Sequence, residues 1–364
     1  MNSGTTTRTA SAFAPGRVEL LGNHTDYNEG LVLGAAIDRG LTVAGTARTD
    51  DVIKLSSNSM GYFEATLRDL KPQKESTWAN FVLGVAHELI ELRIPVGGFG
   101  ATIEGDIPSC SGLSSSAALE IATALFLLKL HDRKLSPMEL AKLSQRAEHR
   151  FVGVQSGLLD QVVSVFGQPN HLVFFDTRAE RVQLIEFPSD LALIIAQSGK
   201  QRELSRGDYN LRREQTGQAA QALGVRALRD VSLVDLEKRT DLDPLLSRRA
   251  RHIIGENERV QRAVELLIKG DATGFGQLLN QSHQSSRDNF ENSTPELDRL
   301  VDLAGKIEGV VGARLTGAGF GGAMLAVCQR LGAESAVLQL RENFFEQTGR
   351  STEMFVCQIA GGAR

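Results

Sequence analysis

Arg17, Glu19, His24 and Asp26 stand within ten residues of one another in "PGRVELLGNHTDYNEGLVL", residues 15–33. A guanidinium, two carboxylates and an imidazole can pair charge, move protons and hold hydroxyl groups. Here they are punctuated by Gly16, Gly22 and Gly30 and framed by the apolar pairs Leu20-Leu21 and Leu31-Val32. So many polar groups between apolar residues exceed what packing asks for, and they imply a polar ligand. A second stretch, "PSCSGLSSSAALE" (108–120), is a glycine- and serine-rich turn that opens into a helix starting near Ser114. Free backbone N–H groups and the positive end of the helix dipole favour a phosphate at such a turn. It has no Gly-Lys-Ser/Thr, so it is not a Walker loop. Its plain alternative is a serine-capped helix.

A third stretch, "LTGAGFGGAML" (315–325), sets Gly317, Gly319, Gly321 and Gly322 between two strand-like runs. Glycine there allows close approach of a ligand or another backbone, or simply a tight hairpin. Acids come from "QRAEHRFVGVQSGLLDQVVSVFG", which places Glu148 on a helix and Asp160 after Gly157. Taken singly, Glu148 reads as an exposed helix acid and Asp160 as a helix cap. Magnesium needs hard oxygen ligands, but few from protein where phosphates supply the rest.

These groups need elements to hold them. The runs "LTVAGTA" and "VIKLSS" read as strands and "TWANFVLGVAHELIEL" as a helix. Ser136-Pro137-Met138-Glu139 carries a serine cap, proline in the first turn and glutamate at the capping-box position, so a helix is expected through Gly153. A change to the strongly apolar strand after "FPSD" puts a domain boundary near Phe187-Pro188, dividing the chain into 1–188 and 189–364. Long helices from "RGDYNLRREQTGQAAQAL" onward, then the strands "GARLTG" and "AMLAVC", lack regular βαβ spacing and point to an α+β fold.

The 364-residue chain has composition enough for two cored domains, and a formal charge of −4 gives no reason to expect nucleic acid as a partner. The basic run "SRRARH" (247–252) reads as a solvated helix face. Cys110, Cys328 and Cys357 are odd in number and far apart, which argues against a disulfide framework or zinc site and for a reducing compartment. The N-terminus lacks an apolar signal core, and "ALEIATALFLLKL" is too short to span a membrane. The expectation is a soluble cytoplasmic protein, monomeric or weakly oligomeric, with no membrane partner.

The three stretches resemble the three motifs of the GHMP small-molecule kinases, and the first resembles the signature of the galactokinase family. The similarity runs through most of the chain and includes "TWANFVLGV", "GLLDQVVSVFG", "DYNLRREQ" and "LLNQSHQSSRDNFENSTPELD". It implies a two-domain fold: a ribosomal-S5-like N-terminal domain and a ferredoxin-like C-terminal domain whose final segment packs back on the first. It also implies ATP- and magnesium-dependent phosphorylation of galactose at the C1 hydroxyl. By the resemblance Asp160 is the catalytic acid-base group and Arg17 the arginine beside it. Ser116 and Glu148 are magnesium ligands, and Cys110, Ser111, Gly112, Leu113, Ser114, Ser115 and Ser116 form the triphosphate turn. Asn23, His24, Thr25, Asp26, Gly157 and Tyr209 fall on the sugar site, and Ser57, Trp78 and Phe81 on the adenine pocket, where the two aromatics also read as core residues.

The chain departs from the family pattern at three places. Cys110 stands where glycine is usual, and Ala323 replaces a cysteine common after the third glycine run. Galactokinases usually read Arg-Val-Asn-Leu-x-Gly-Glu-His, whereas this chain has Glu19 and Asn23: acid and amide are exchanged. Either the two face each other and the pair is preserved in reverse, or the amide admits a substrate bearing a carboxylate or carbonyl. Alternatives to galactokinase are therefore a sibling kinase for N-acetylgalactosamine, arabinose or a uronic acid, and a non-catalytic sensor of sugar and ATP.

Overall fold

The computed structural model describes residues 8–108, 112–200 and 206–364. Cys110 and Ser111 of the expected phosphate turn lie outside these. The chain opens with two long strands, β1 (Thr9–Leu21) and β2 (Leu31–Ala47), followed by β3 (Val52–Ser57) and β4 (Gly61–Thr66). Helix α1 (Ala79–Glu91), strand β5 (Phe99–Gly105) and helices α2 (Ser115–Leu130), α3 (Pro137–Ala147) and α4 (Leu159–Phe166) come next. Strands β6 (His171–Asp176) and β7 (Arg181–Glu186) complete a sheet of order β4-β3-β5-β2-β6-β7, with β1 also paired to β2. Only β3–β5 is parallel among its pairings. Strand β2 is long enough to serve β5 with its second half and β6 with its first.

β1 is buried at almost every position from Ala14 to Leu21, because both of its faces are covered. Helix α2 does most of that covering. It is Ala- and Leu-rich on all sides and buried along most of its length, as expected of a helix enclosed by others. Leu83, Phe99, Phe126 and Leu143 gather in the core between the helices and the sheet.

The second half contributes β8 (Leu191–Gln197), α5 (Arg206–Leu223), α6 (Leu233–Glu237), α7 (Pro244–Ile268), α8 (Ala272–Ser285) and α9 (Pro295–Ala304). Strands β9 (Val310–Thr316) and β10 (Ala323–Gln329), helix α10 (Ala333–Thr348) and strand β11 (Met354–Cys357) follow. The four strands form an antiparallel sheet of order β11-β8-β10-β9. Its two faces follow the period of two. Leu193, Ile195, Leu325 and Val327 join α7, α8 and the β1–β2 residues Val18, Leu20 and Leu33 in one core. Ile194, Met324 and Ala326 pack instead under α9 and α10. After β11 the chain returns to the first sheet, where Ala360 donates to the Ala36 carbonyl and Arg364 and Phe13 exchange both backbone hydrogen bonds at 2.9 Å.

Helix α3 begins with the expected Ser136–Glu139 capping box. It does not continue regularly to Gly153. The α-helix ends at Ala147 and passes into a π-turn, Glu148–Val152, closed by Gly153 at φ +79°. Such a turn widens the helix and re-aims its side chains, here Glu148. "SRRARH" also differs from its expected solvated face. Arg249 and His252 are buried on α7, and Arg249 donates to Gln215, the Asn289 carbonyl and Glu291. A basic run cannot reveal that acceptors 34 to 42 residues away will close over it.

α8 lies directly on β9. A Cβ built on Gly276 would stand 1.9 Å from the Val311 carbonyl oxygen, and one on Gly312 would stand 2.2 Å from that of Gly276. Gly276→Ala is expected to lower stability by at least roughly 1–3 kcal/mol, the usual cost of overpacking. A fall in the urea midpoint at unchanged m-value is the measurement; an unchanged midpoint would show that the two backbones can separate without cost.

Candidate active site

A cavity of about 640 Å³ opens between the first sheet, its helices and the β9–β10 turn. Ser57, Trp78 and Phe81 line one part of it, Gly112, Ser114, Ser115 and Ser116 another, and Arg17, Glu19, His24, Asp26, Gly157, Asp160 and Tyr209 a third. Trp78 and Phe81 pack on the core while facing this space, so their two readings are compatible.

Arg17 and Glu19 sit two residues apart on β1, and both side chains border the cavity. Arg17 is buried. Its Nε and Nη2 approach Asp160 Oδ1 at 2.7 and 2.6 Å, and its Nη1 donates to the Gly112 carbonyl at 2.7 Å. The second carboxylate oxygen, Oδ2, accepts from Ser114 Oγ at 2.5 Å. The pairing is therefore not a two-against-two fork; both guanidinium donors converge on one oxygen. Asp160 caps nothing, since α4 has Leu158 at its N-cap. Nor does Ser114 cap α2: it adopts a left-handed conformation, φ 60°, and spends its hydroxyl on Asp160. The Leu113 side chain, expected in the phosphate turn, points into the core, and its carbonyl accepts from Arg17 N.

The loop after β1 is tightly held. Thr25 is fully buried and does not border the cavity; its hydroxyl lies 2.7 and 2.6 Å from the Gly22 and Leu31 carbonyls, closing the turn. His24 stands at φ 60° with Nε2 3.0 Å from the Ala318 carbonyl and Nδ1 2.7 Å from the Tyr27 hydroxyl. A carbonyl can only accept, so Nε2 carries the proton and Tyr27 donates to Nδ1. The imidazole also meets the rings of Tyr209 and Phe290 at 5.1 and 4.6 Å. Gly157 runs against Asp26 so closely that a Cβ would fall 1.9 Å from Oδ2. Only glycine fits there. Burial, then the charges of Asp160 and Glu19, push the Asp26 carboxyl up to about 7.

Glu148 and Ser116 face the same cavity. Ser156 donates its hydroxyl to Glu148 Oε2, and Gln161 Nε2 reaches the same oxygen at 3.4 Å. Behind them Glu120, four residues after Ser116 on α2, is wholly buried, and its Oε1 has no hydrogen-bond partner among the described residues. Burial, then the charge of Glu148, pushes its carboxyl well above the usual range. Among the described residues no three His, Cys, Asp or Glu side chains converge as a metal cage.

Helix α7 supplies groups that the sequence reading passed over. Glu256 is fully buried and accepts from both Gly22 N and Asn23 N at 2.9 Å, with Arg259 against its other oxygen at 2.7 Å. Arg259, Arg314 and the two amides hold its carboxyl far below the usual range against the opposing effect of burial. His252, lowered to about 3 by burial, stays neutral and lies 3.2 Å from the Asn23 carbonyl. Arg249, His252, Glu256 and Arg259 are spaced three, four and three apart, one face of a helix. That spacing was the available signal.

Comparison with known proteins agrees with this geometry. The galactokinase galactose-binding signature matches residues 3–47, the GHMP kinases N terminal domain residues 80–168, and the GHMP kinases C terminal domain residues 263–346. The two-sheet α+β architecture is thus that of a GHMP kinase, and a solved mevalonate kinase shares it at a TM-score of 0.67 and 19% identity. Galactokinase of Haemophilus influenzae is 41% identical over 97% of this chain and 94% of its own length. That of Pasteurella multocida is 38% identical over 98% and 94%. The structure of Lactococcus lactis galactokinase complexed with galactose superposes with a TM-score of 0.94 at 34% identity, covering 100% of this chain and 96% of that one. The chain belongs to the galactokinase family.

The raised Asp26 carboxyl makes a stability prediction. An acid with a folded pKa of about 7 and an ordinary value near 3.8 costs nothing below pH 3.8, and its cost grows up to pH 7 and stays above it. Asp26→Asn should therefore raise the melting temperature at pH 8 and leave it nearly unchanged at pH 4. Equal effects at the two pH values would show that Asp26 is not held protonated by its surroundings.

Proposed function

We propose that this protein phosphorylates the C1 hydroxyl of galactose from ATP with magnesium, giving galactose 1-phosphate and ADP. Residues 1–188 and 189–364 form the two domains that meet at the site. The observation that carries the reading is Asp160, held by Arg17 and Ser114 at the wall of a cavity that has a helix-opening serine turn on one side and the His24–Asp26–Tyr209 group on the other. The galactokinase relatives support the same substrate.

Phosphoryl transfer is mostly positioning and charge stabilisation. Asp160 accepts the C1 hydroxyl proton as that oxygen forms its bond to the terminal phosphorus and the bond to the ADP oxygen breaks. Arg17 and Ser114 fix the direction of the carboxylate's lone pairs. Gly112 in the turn before α2, and Ser115 and Ser116 in its first turn, offer backbone N–H groups, and the two serines hydroxyls, to the triphosphate. Trp78, Phe81 and Ser57 form the adenine end. Asp26 and Tyr209, with the Gly157 backbone, accept and donate to sugar hydroxyls, and His24, whose ring nitrogens are both engaged by protein, supports them by packing against the Tyr209 ring.

A hydroxyl and one carboxylate suit magnesium when phosphate and water complete its shell, and Ser116 and Glu148 face the cavity together. Bound there, the ion would offset phosphate charge. Glu148 is held in place for this by Ser156 and Gln161.

ADP release across a sugar panel tests the reading. Asp160→Asn keeps size and removes the base, and should cost ~10²–10⁴-fold in kcat; wild-type turnover by that variant would remove Asp160 from the role. Sugar binding by wild type with no ADP release would identify a sensor instead. Glu148→Gln should shift the magnesium titration to higher concentration and leave the galactose KM nearly constant. The opposite split would place Glu148 on the sugar.

A further inference from the structure

Asn23 borders the cavity yet has no solvent-accessible surface. Its amide is spent on protein. Nδ2 donates to Glu19 Oε1 and to the Gly317 carbonyl, both at 2.8 Å, while Oδ1 accepts from Asn292 Nδ2 at 2.8 Å. Both amide hydrogens are therefore engaged, and neither is left to meet a ligand. Its backbone is fixed as well, through Glu256 to N and His252 to O.

Glu19 is arranged differently. Its Oε1 takes Asn23 and an ion contact from Arg314 Nη2 at 3.0 Å. Oε2 has no hydrogen-bond partner among the described residues, and the side chain lines the cavity. Arg314, Asn23 and the backbone contacts to Thr316 hold it in one position. It lies two residues from Arg17, about 7 Å along a strand, which is comparable to a hexose ring with its substituents.

We propose that Glu19 is a sugar-binding and specificity-determining residue: Oε2 accepts a hydrogen bond from a hydroxyl remote from C1, and Asn23 serves only to aim it. This rests on the kinase reading above. It also selects between the two accounts of the exchanged pair. A saturated amide cannot welcome a carboxylate, and a second acid beside Glu19, whose carboxyl burial already raises against the pull of Arg314, crowds two carboxyl groups together. A neutral hexose is accepted and a uronic acid refused.

The test is a cycle of Glu19→Gln against galactose analogues lacking one hydroxyl each, C1 excepted, with kinetics and calorimetric binding both measured. A hydrogen bond to a charged group is worth roughly 10- to 100-fold. One analogue should lose about that much in kcat/KM on wild type but little more on Glu19→Gln; the others should lose equally on both. The variant's loss on galactose should fall on KM, with kcat and the ATP KM nearly unchanged, which a general structural defect would not produce. Wild type should refuse the uronic acid, and this arm needs no variant. Galactose-dependent ADP release together with independent losses for every analogue overturns this inference alone. Wild-type preference for a uronic acid overturns it together with the galactose assignment. If wild type releases no ADP with galactose, the kinase reading falls, and the same coupling, or its absence, is read from sugar binding.

Discussion

The site depends on where one guanidinium is anchored. Arg17 leaves β1 in the centre of the molecule and meets Asp160, 143 residues later on α4, and the Gly112 carbonyl in the turn before α2. Three pieces of chain, to which the proposed function assigns a sugar, a proton and a phosphate, are thereby held by one planar group. Each of its three nitrogens is engaged, so its orientation leaves little freedom. A lysine would keep the charge and lose two of the three ties.

Arg17 can be held this way because the strand under it is built into two cores at once. Val18 and Leu20 point toward the second sheet and α7–α8, while Ala12 and Ala14 support the helices of the first. Polar side chains on so buried a strand would be costly alone. Each is paired: Arg17 with Asp160, Glu19 with Arg314 and Asn23. Glu256 extends the same solution across the interface by neutralising two loop amides with a charge from α7. The loop after β1 is thus positioned by the second half of the chain although its residues come from the first.

What was legible in the sequence was local. The Ser136–Glu139 box, the strand Val52–Ser57 and the glycine hairpin after Thr316 are encoded by neighbouring residues, and they stand where their signals put them. The residues gathered at the cavity came from the family resemblance, because no spacing rule relates Arg17 to Asp160. Long-range burial was not legible. "SRRARH" looks solvated until Gln215, Asn289 and Glu291 enclose Arg249. Thr25 and Leu113 fall inside ligand motifs, yet their side chains turn inward to make the turns those motifs require. A motif marks a segment, and only packing decides which of its side chains face the ligand.

The charges of the cavity wall are distributed unevenly, and this has a chemical sense. Asp26, Asp160, Glu19 and Glu148 all face it, with Arg17 the cation among its lining residues. A wall so acidic suits hydroxyl groups and a divalent ion, and it opposes bare phosphate. The phosphate end proposed above has donors of another kind: glycine and serine at the start of α2, whose partial charges come from the backbone and bring no counter-anion with them. Arg17 stands at the junction, bonded to the acid of one end and the turn carbonyl of the other. On the proposed function, proton acceptance and phosphate binding, which ask for opposite electrostatics, are thus served a few ångströms apart by side-chain charge on one side and helix dipole on the other.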